Sequence, residues 1–294
     1  MRKLVLQPAM LFDRSIFLIA IFIGLFANPL RADEGINKAN SLALQWSRAD
    51  DSLESNTQTV ELDSDTLMLI YGRQLTNSWR VSLDAWSGGD DFDLSNNRSL
   101  EHTISGFGGD LSYQIAAQYV ASIGVSFEDR DTKLSKTNNG QFYQESSEIK
   151  SVFSSLSYDF TFHEFDISPS LGLTYQDSKI ERELDAQLNF ENLETFRGMY
   201  ASLTVNTIYL IEGSNQLLWL PSVSLGWSET LWGDITNISR NGTVHSEDQS
   251  EGSGFVSFAI TAILNDYFAD ISLSQSTGSG EGRNSIAFQL GLDF

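Results

Sequence analysis

Apolar and polar residues alternate along most of the chain from about residue 40 to the C-terminus. A side-chain period of two is typical of a β-strand, in which successive side chains point to opposite faces of the sheet. The clearest case is the stretch from Ser285 to Phe294, where apolar residues are separated by small or polar ones. A tilted strand of about ten residues is long enough to cross a bilayer. The pattern predicts strands that each have one apolar face.

Such segments recur about 12 times, and long polar connections alternate with short turns between them, as a transmembrane barrel requires. We therefore predict an all-β fold, a transmembrane antiparallel β-barrel of about 12 strands over residues 39–294. Because the alternation in any single strand is a weak signal, about 10 or about 14 strands also fit the sequence. The alternative fold is a secreted, soluble β-sandwich with a polar outer face.

The distribution of charge favours the barrel. Lipid cannot hydrogen-bond to the backbone, so a sheet inside a membrane must close on itself. A basic side chain facing lipid at mid-depth would cost roughly 2–4 kcal/mol, and an acidic one less. The apolar face carries almost no charge, and the charged residues within the strands fall on the opposite face, which we predict to line a hydrated lumen rich in Ser and Gly. The predicted lumen residues are Arg80, Asp84, Asp110, Asp159, Asp166 and Asp270.

Aromatic residues gather where the predicted strands end, as they do in the interfacial girdles of membrane barrels. On the side of the short turns the candidates are Trp79, Tyr119, Phe165 and Trp219. On the side of the long loops they are Phe127, Tyr175 and Trp227.

The N-terminus has the composition of an export signal. Basic residues at Arg2, Lys3 and Arg14 flank an unbroken apolar run from residue 16 to residue 26, and Ala32 offers a small residue for cleavage. The run is too short for a transmembrane helix but suits a signal peptide. We expect a signal peptide over residues 1–32, a short segment over 33–38 and a mature protein in the cell outer membrane. The alternative is a core or anchor helix.

Composition limits the partners and cofactors. The formal net charge is −21, and the chain has no basic patch that could meet nucleic-acid phosphates. There is no cysteine, which excludes disulfides, thiol nucleophiles and thiolate metal sites. We expect the partners to be outer-membrane lipids and lipopolysaccharide, and we expect no cofactor.

The C-terminal strand resembles the closing strand of bacterial outer-membrane β-barrels, because the chain ends on an aromatic residue in register with the apolar face. The apolar positions of this strand are Ile286, Phe288, Leu290, Leu292 and Phe294. In those proteins the strand is the signal that the barrel-assembly machinery reads. The resemblance implies the same partner and role here.

Two predicted strands carry an early proline, Pro169 and Pro221, followed by alternating aliphatic residues and an aromatic. This pattern resembles the autotransporter β-domain, as do the strand, turn and strand of residues 71–81 and the segment 227–234. That family carries a long passenger before its barrel. Here only a few residues separate the expected cleavage site from the first strand. We therefore expect either no passenger or a short plug formed by residues 33–48.

Candidate catalytic and metal sites are weak. None of His102, His163 and His245 has the Asp-x-His or His-x-Ser spacing of barrel hydrolases. The acidic run of residues 90–93 lacks the later glycine and the bidentate glutamate of a calcium loop. We expect neither a metal site nor enzymatic activity.

Three functional hypotheses follow from these observations. The first is a passive pore, or a passenger-less translocator-type barrel, with acidic extracellular loops. The second is a surface interaction or adhesion protein whose loops bind a partner and whose lumen is plugged. The third is a loop-borne hydrolase, for which His245 would be the candidate residue.

Overall fold

The structure is a computed structural model that describes residues 40–55, 58–94, 98–136, 143–184, 191–213, 216–239, 244–248, 252–278 and 281–294. The expected signal peptide (1–32) and the segment 33–38 lie outside the described residues. Within the described ranges, no helix is long and apolar enough to span a bilayer.

Fifteen β-strands account for almost all of the described residues. In chain order they are β1 (Asn40–Ser55), β2 (Gln58–Gln74), β3 (Trp79–Leu94), β4 (Arg98–Ala116), β5 (Tyr119–Lys136), β6 (Tyr143–Tyr158), β7 (Phe160–Phe162), β8 (Phe165–Leu184), β9 (Glu191–Tyr209), β10 (Ile211–Glu212), β11 (Leu217–Ser239), β12 (Val244–Asp248), β13 (Gly252–Leu264), β14 (Tyr267–Gly278) and β15 (Glu281–Asp293). Three of them, β7, β10 and β12, are short and each pairs with a single neighbour. The other twelve form the wall.

The wall is a closed antiparallel barrel. Each long strand pairs with the next long strand along the chain, and β15 returns to pair with β1, where Leu42 lies opposite Leu292. Closure leaves the wall without a sheet edge, so each of the twelve wall strands finds backbone partners on both sides. The predicted fold class, a transmembrane antiparallel β-barrel of about 12 strands, is confirmed.

Backbone atoms of the first and last strands fasten the seam of the barrel. The Asn40 amide donates to the Phe294 carbonyl at 2.9 Å, and the Phe294 amide donates to the Asn40 carbonyl at 2.9 Å. The Asn40 side chain adds a bond to the same Phe294 carbonyl at 3.3 Å and accepts one from the Tyr71 hydroxyl at 3.2 Å. The C-terminal residue is therefore part of the closure as well as of the apolar face.

Alternate side chains along each strand differ sharply in exposure. On β1, Leu44 is 49 % exposed, whereas its neighbours Ala43 and Gln45 are 5 % and 6 % exposed. Large apolar side chains occupy the exposed set throughout the barrel, as expected of a surface that faces hydrocarbon. Small and polar side chains occupy most of the inward set.

The short turns lie together at one end of the barrel, and three of those described, at residues 117–118, 163–164 and 265–266, have two residues. In the last two, His163 and Asn265 each adopt a φ of 56°, the positive value that type I′ and type II′ hairpin turns need at their first central position. Asn and His tolerate this conformation better than most residues with a side chain. The sequence pattern predicts tight turns around His163 and Asn265, and the structure confirms both.

Each of the two strand prolines interrupts the ladder on one side. Pairing of β6 with β8 stops at Ser157–Ser170 and resumes in β7, and pairing of β9 with β11 stops at Ser222–Ile208 and resumes in β10. Proline has no N–H to donate, so the neighbouring strand breaks opposite it. On their other sides Pro169 and Pro221 remain in the ladder.

The strands extend further on the loop side than the alternation indicates. The sequence assigns loops to residues 88–101, 128–147, 176–195 and 228–252, but β3, β5, β8 and β11 continue well into these ranges. These assignments were wrong in extent because a paired strand that stands in water can be polar on both faces. Its backbone ladder persists after the alternation has ended. A bulge in β11 between Thr230 and Trp232 was also not predicted.

Four inward-facing aromatic side chains each lie flat over a glycine directly opposite on the next strand. The pairs are Trp86 over Gly106, Phe153 over Gly124, Phe255 over Gly226 and Phe268 over Gly291. A Cβ on any of these glycines would overlap the ring. The rings therefore lie against the wall and cover exposed backbone instead of projecting across the lumen.

The glycine–aromatic pairs give a first prediction. Gly226→Ala should destabilise the barrel by about 1–3 kcal/mol, because the new methyl group overlaps the Phe255 ring. Urea unfolding, followed by the heat-modifiable band shift on gels, measures the loss. The double variant G226A/F255L should recover part of it. Equal stability of G226A and the wild type would contradict the packing described here.

The seam gives a second prediction. Deleting Phe294 removes both backbone bonds to Asn40 and should lower the free energy of unfolding by roughly 1–3 kcal/mol, whereas Phe294→Leu keeps those bonds and should cost less. Refolding into detergent micelles without assembly factors separates this effect from recognition by the assembly machinery. The same loss for both variants would show that the ring, and not the backbone closure, stabilises the seam.

Candidate functional site in the lumen

Side-chain contacts that skip a strand identify the concave inner face. Arg80 on β3 donates to Ser41 Oγ on β1 at 3.0 Å and passes over Gly72 of β2, where a Cβ would overlap both side chains. Trp86 Nε1 on β3 donates to Glu128 Oε2 on β5 at 3.1 Å. Strands two apart can meet in this way only on the inside of a closed, curved sheet.

The six predicted lumen residues occupy positions of the inward set at different heights. Arg80 and Asp84 lie on β3 and Asp110 lies on β4, while Asp166 and Asp270 lie on the far wall, and Asp159 lies between β6 and β7. Threonine hydroxyls donate to two of these acids, Thr161 to Asp166 at 2.7 Å and Thr261 to Asp270 at 2.8 Å. The structure thus brings together only the group on β3 and β4.

Asp84 and Asp110 form a close acidic pair on the wall. Asp84 is opposite Gly108, and Asp110 is opposite Ser82, so the two carboxylates are diagonal neighbours on adjacent strands. Asp84 is 6 % exposed, and its Oδ2 has no hydrogen-bond partner within the described part of the chain. Asp110 accepts a bond from Ser112 at 2.8 Å, and the Arg80 guanidinium lies within electrostatic range of it.

A glycine lies directly opposite each member of this pair, and the Phe153 ring covers one of the two, Gly124. Gly108 is the direct neighbour of Asp84, and a Cβ there would come within 3.0 Å of its Oδ2. Gly124 is the direct neighbour of Asp110. Two carboxylates and one guanidinium thus lie on the same part of the inner wall.

A charged constriction near the loop end was not predicted. Glu128 and Arg130 form an ion pair on β5 with side-chain exposures of 12 % and 8 %, and Trp86 donates to the same glutamate. The sequence analysis placed both charged residues in a loop. Side chains at positions i and i+2 of a strand lie on the same face. The opposite charges of Glu128 and Arg130 at this spacing were the signal that could have identified the ion pair.

The wall formed by β8 and β9 is rich in hydroxyl and amide groups. Its buried polar members are Ser168, Ser170, Thr174, Gln176, Ser178, Thr204 and Asn206, and the acid Glu194 is buried among them. Among the residues that the structure describes, both polar atoms of the Gln176 side chain, and the hydroxyls of Ser178 and Tyr200, have no hydrogen-bond partner. This wall thus combines many neutral hydrogen-bonding groups with a buried acid.

Apolar side chains also face the lumen near its loop end, and this corrects the expectation of a lining rich only in Ser and Gly. The buried members are Met68, Ile104, Ile149, Ile180 and Phe196. Phe196 stacks on Tyr200 with 6.1 Å between ring centroids, and Ile180 belongs to the same buried cluster. The inner face is therefore partly apolar at these positions.

All seven predicted girdle aromatics are exposed, and four of them pair with an aromatic on the adjacent strand. The pairs are Trp79–Tyr113, Tyr119–Tyr158, Phe165–Tyr209 and Phe107–Phe127. Trp219, Tyr175 and Trp227 are exposed as well. The aromatic partners on the adjacent strands were not predicted. The alternation in the sequence shows which face of the sheet a residue occupies, but it does not show the register between two strands.

The other predicted residues are placed as follows. Phe288, Leu290 and Phe294 of the closing strand are exposed on the outer face, and Ile286 and Leu292 are half-buried. His163 lies in its turn against the edge of Phe162. The side chains of His102 and His245 and of residues 90–93 are outside the described set, and the described residues hold no cluster of three or more metal-ligating side chains.

Comparison with known proteins rests on structure. No family profile and no curated protein matches the sequence. The translocator domain of the autotransporter NalP from Neisseria meningitidis superposes with a TM-score of 0.67 at 8 % identity, over 97 % of this chain and 96 % of that one. The β-domain of the Bordetella autotransporter BrkA gives a TM-score of 0.63 at 12 % identity, over 87 % of this chain and 100 % of that one.

An outer membrane channel from Pseudomonas putida F1 is also similar, with a TM-score of 0.52 at 10 % identity, over 91 % of this chain and 99 % of that one. Identities this low establish the fold alone. The structural matches confirm the resemblance to the autotransporter β-domain that Pro169, Pro221 and the strand pattern indicated. The chain therefore has the fold of the autotransporter β-domain, a closed outer-membrane-type barrel of twelve antiparallel strands.

Proposed function

We propose that the chain is a passive outer-membrane pore with a mild preference for cations and that it is not an enzyme. The observation that carries this proposal is the acidic pair Asp84–Asp110 on an inner wall that contains several glycines. A negatively charged lining in a low-dielectric shell concentrates cations along a pore.

The strand number supports a permeable lumen. Eight-stranded barrels have room only for their own side chains, and barrels of about 16 strands enclose an aqueous channel. A barrel of twelve strands lies between these cases, so its permeability depends on how its inner side chains are arranged. Here several aromatic rings lie flat over glycine and leave space, while the Glu128–Arg130 pair and the apolar cluster occupy part of the inner face.

The remaining parts of the proposal concern location and partners. The similarity to outer-membrane barrels supports the cell outer membrane as the location. In that setting the exposed apolar belt contacts membrane lipids, and the strand ends on the loop side reach the lipopolysaccharide leaflet. The expected signal peptide over residues 1–32 would deliver the chain for export.

Reversal potentials in planar bilayers test the proposal. Under a KCl gradient the wild type should be cation-selective. Removing one negative charge about 4 Å from the path of a cation raises the energy of that cation by about 1 kcal/mol in water, which predicts a fall of up to roughly fivefold in the permeability to cations. We expect D110N to lower the cation-to-anion permeability ratio and the double variant D84N/D110N to bring it near one.

Asp177→Asn is the matched control, because Asp177 carries the same charge but lies on the outer face, where it pairs with Arg197. This variant should leave the selectivity unchanged. Anion selectivity of the wild type, or no conductance at all, would eliminate the pore proposal. Cation selectivity that persists in D84N/D110N would show that other residues confer it.

A further inference from the structure

A groove lies in the outer face of the barrel, over Pro221. Its volume is about 560 Å³, and its lining includes Phe165, Thr207, Tyr209, Pro221, Val223 and Ile260. The lining spans the strands from β8 to β14 and belongs mainly to the outward set. The groove therefore opens to the surroundings of the barrel and has no connection with the pore proposal.

The groove has a structural cause in Pro221. Pairing of β9 with β11 ends at Ile208–Ser222, and β10 resumes it at Ile211–Trp219. Residues 209–210 and 220–221, between these points, do not pair with each other. Proline offers no N–H to the neighbouring strand there. The small Thr207 side chain lies opposite Val223, one pair before the ladder ends, and leaves the groove open.

The position of the groove identifies its surroundings. It lies in the half of the barrel near the short turns, which is the periplasmic half in outer-membrane barrels. Apart from Thr207 and Tyr209, the outward side chains that line it are apolar. At this depth the only abundant ligand is a lipid, and the part of a lipid that matches an apolar groove is its acyl chain.

The end of the groove near the turns is acidic. Phe165 and Tyr209 form this end, and the Tyr209 hydroxyl donates to Glu164 Oε2 at 2.8 Å. The turns that join the lining strands carry Glu164, Glu212 and Asp266 and contain no Lys or Arg. An anionic headgroup would be repelled here, whereas an ammonium headgroup would be attracted.

We propose that the groove binds one phospholipid with an ammonium headgroup, phosphatidylethanolamine, from the leaflet on the turn side. One acyl chain lies in the groove over Pro221, and the ammonium group lies beside Glu164. Membrane lipid tails are as apolar as the groove, so the transfer of hydrocarbon does not select the ligand. Close packing retains the chain, and the acidic end selects the headgroup.

Native mass spectrometry of the purified barrel, with phosphatidylethanolamine and phosphatidylglycerol of identical acyl chains, tests the proposal. The wild type should retain one phosphatidylethanolamine in preference to phosphatidylglycerol. Thr207→Phe fills the groove and should weaken retention roughly tenfold. Val205→Phe, two residues away on the same face of β9 and outside the lining, is the matched control and should retain the lipid.

The headgroup contact is tested separately. Glu164→Gln should bring the ratio of the two lipids near one, while Glu148→Gln removes the same charge at the loop end and should not change the ratio. If Thr207→Phe does not give the heat-modifiable band of a folded barrel, Ile260→Trp fills the groove from β13. Equal retention of both lipids by the wild type, or full retention by a folded filled-groove variant, would overturn the proposal.

Discussion

The constraint on which this structure depends is that hydrocarbon offers no hydrogen bond to the backbone. Every strand inside the membrane must therefore be paired on both sides, which forces the sheet to close. The Asn40–Phe294 bonds complete that closure. Pro169 and Pro221 are accommodated near the turn end, where each breaks only one of its two ladders. Near that end, interfacial water can replace the missing partner.

Closure also gives the sheet an outer face in contact with lipid and an inner face in contact with water. Much of the fold could be predicted because of this difference. Leu44 and its neighbour Gln45 illustrate the point, because a period of two in the sequence becomes a lipid-facing and a lumen-facing set in the barrel. That pattern predicted the approximate number of strands, the short turns and the two strands that carry Pro169 and Pro221. The same logic fails beyond the membrane, where both faces of β8 and β11 meet water and the alternation disappears.

The candidate site was predicted only in part, for a related reason. The sequence assigned Asp84 and Asp110 to the lumen, but their proximity depends on the register of β3 against β4, which alternation does not encode. Glu128 and Arg130 were missed because the strand carrying them extends past its apolar stretch. The groove over Pro221 depends on which of the two ladders a proline interrupts, and this too is a property of register. Sequence determines the face, whereas function in this barrel depends on neighbours across strands.

The central claim, that one set of side chains meets lipid and the alternate set meets water, can be measured directly because the chain has no cysteine. Spin labels at Leu44→Cys and Gln45→Cys, and at Leu290→Cys and Gln289→Cys, report collisions with oxygen in lipid and with a water-soluble nickel complex. The account predicts that labels at 44 and 290 respond mainly to oxygen, and labels at 45 and 289 mainly to nickel. Equal access of the nickel complex to all four positions would contradict a membrane-spanning barrel.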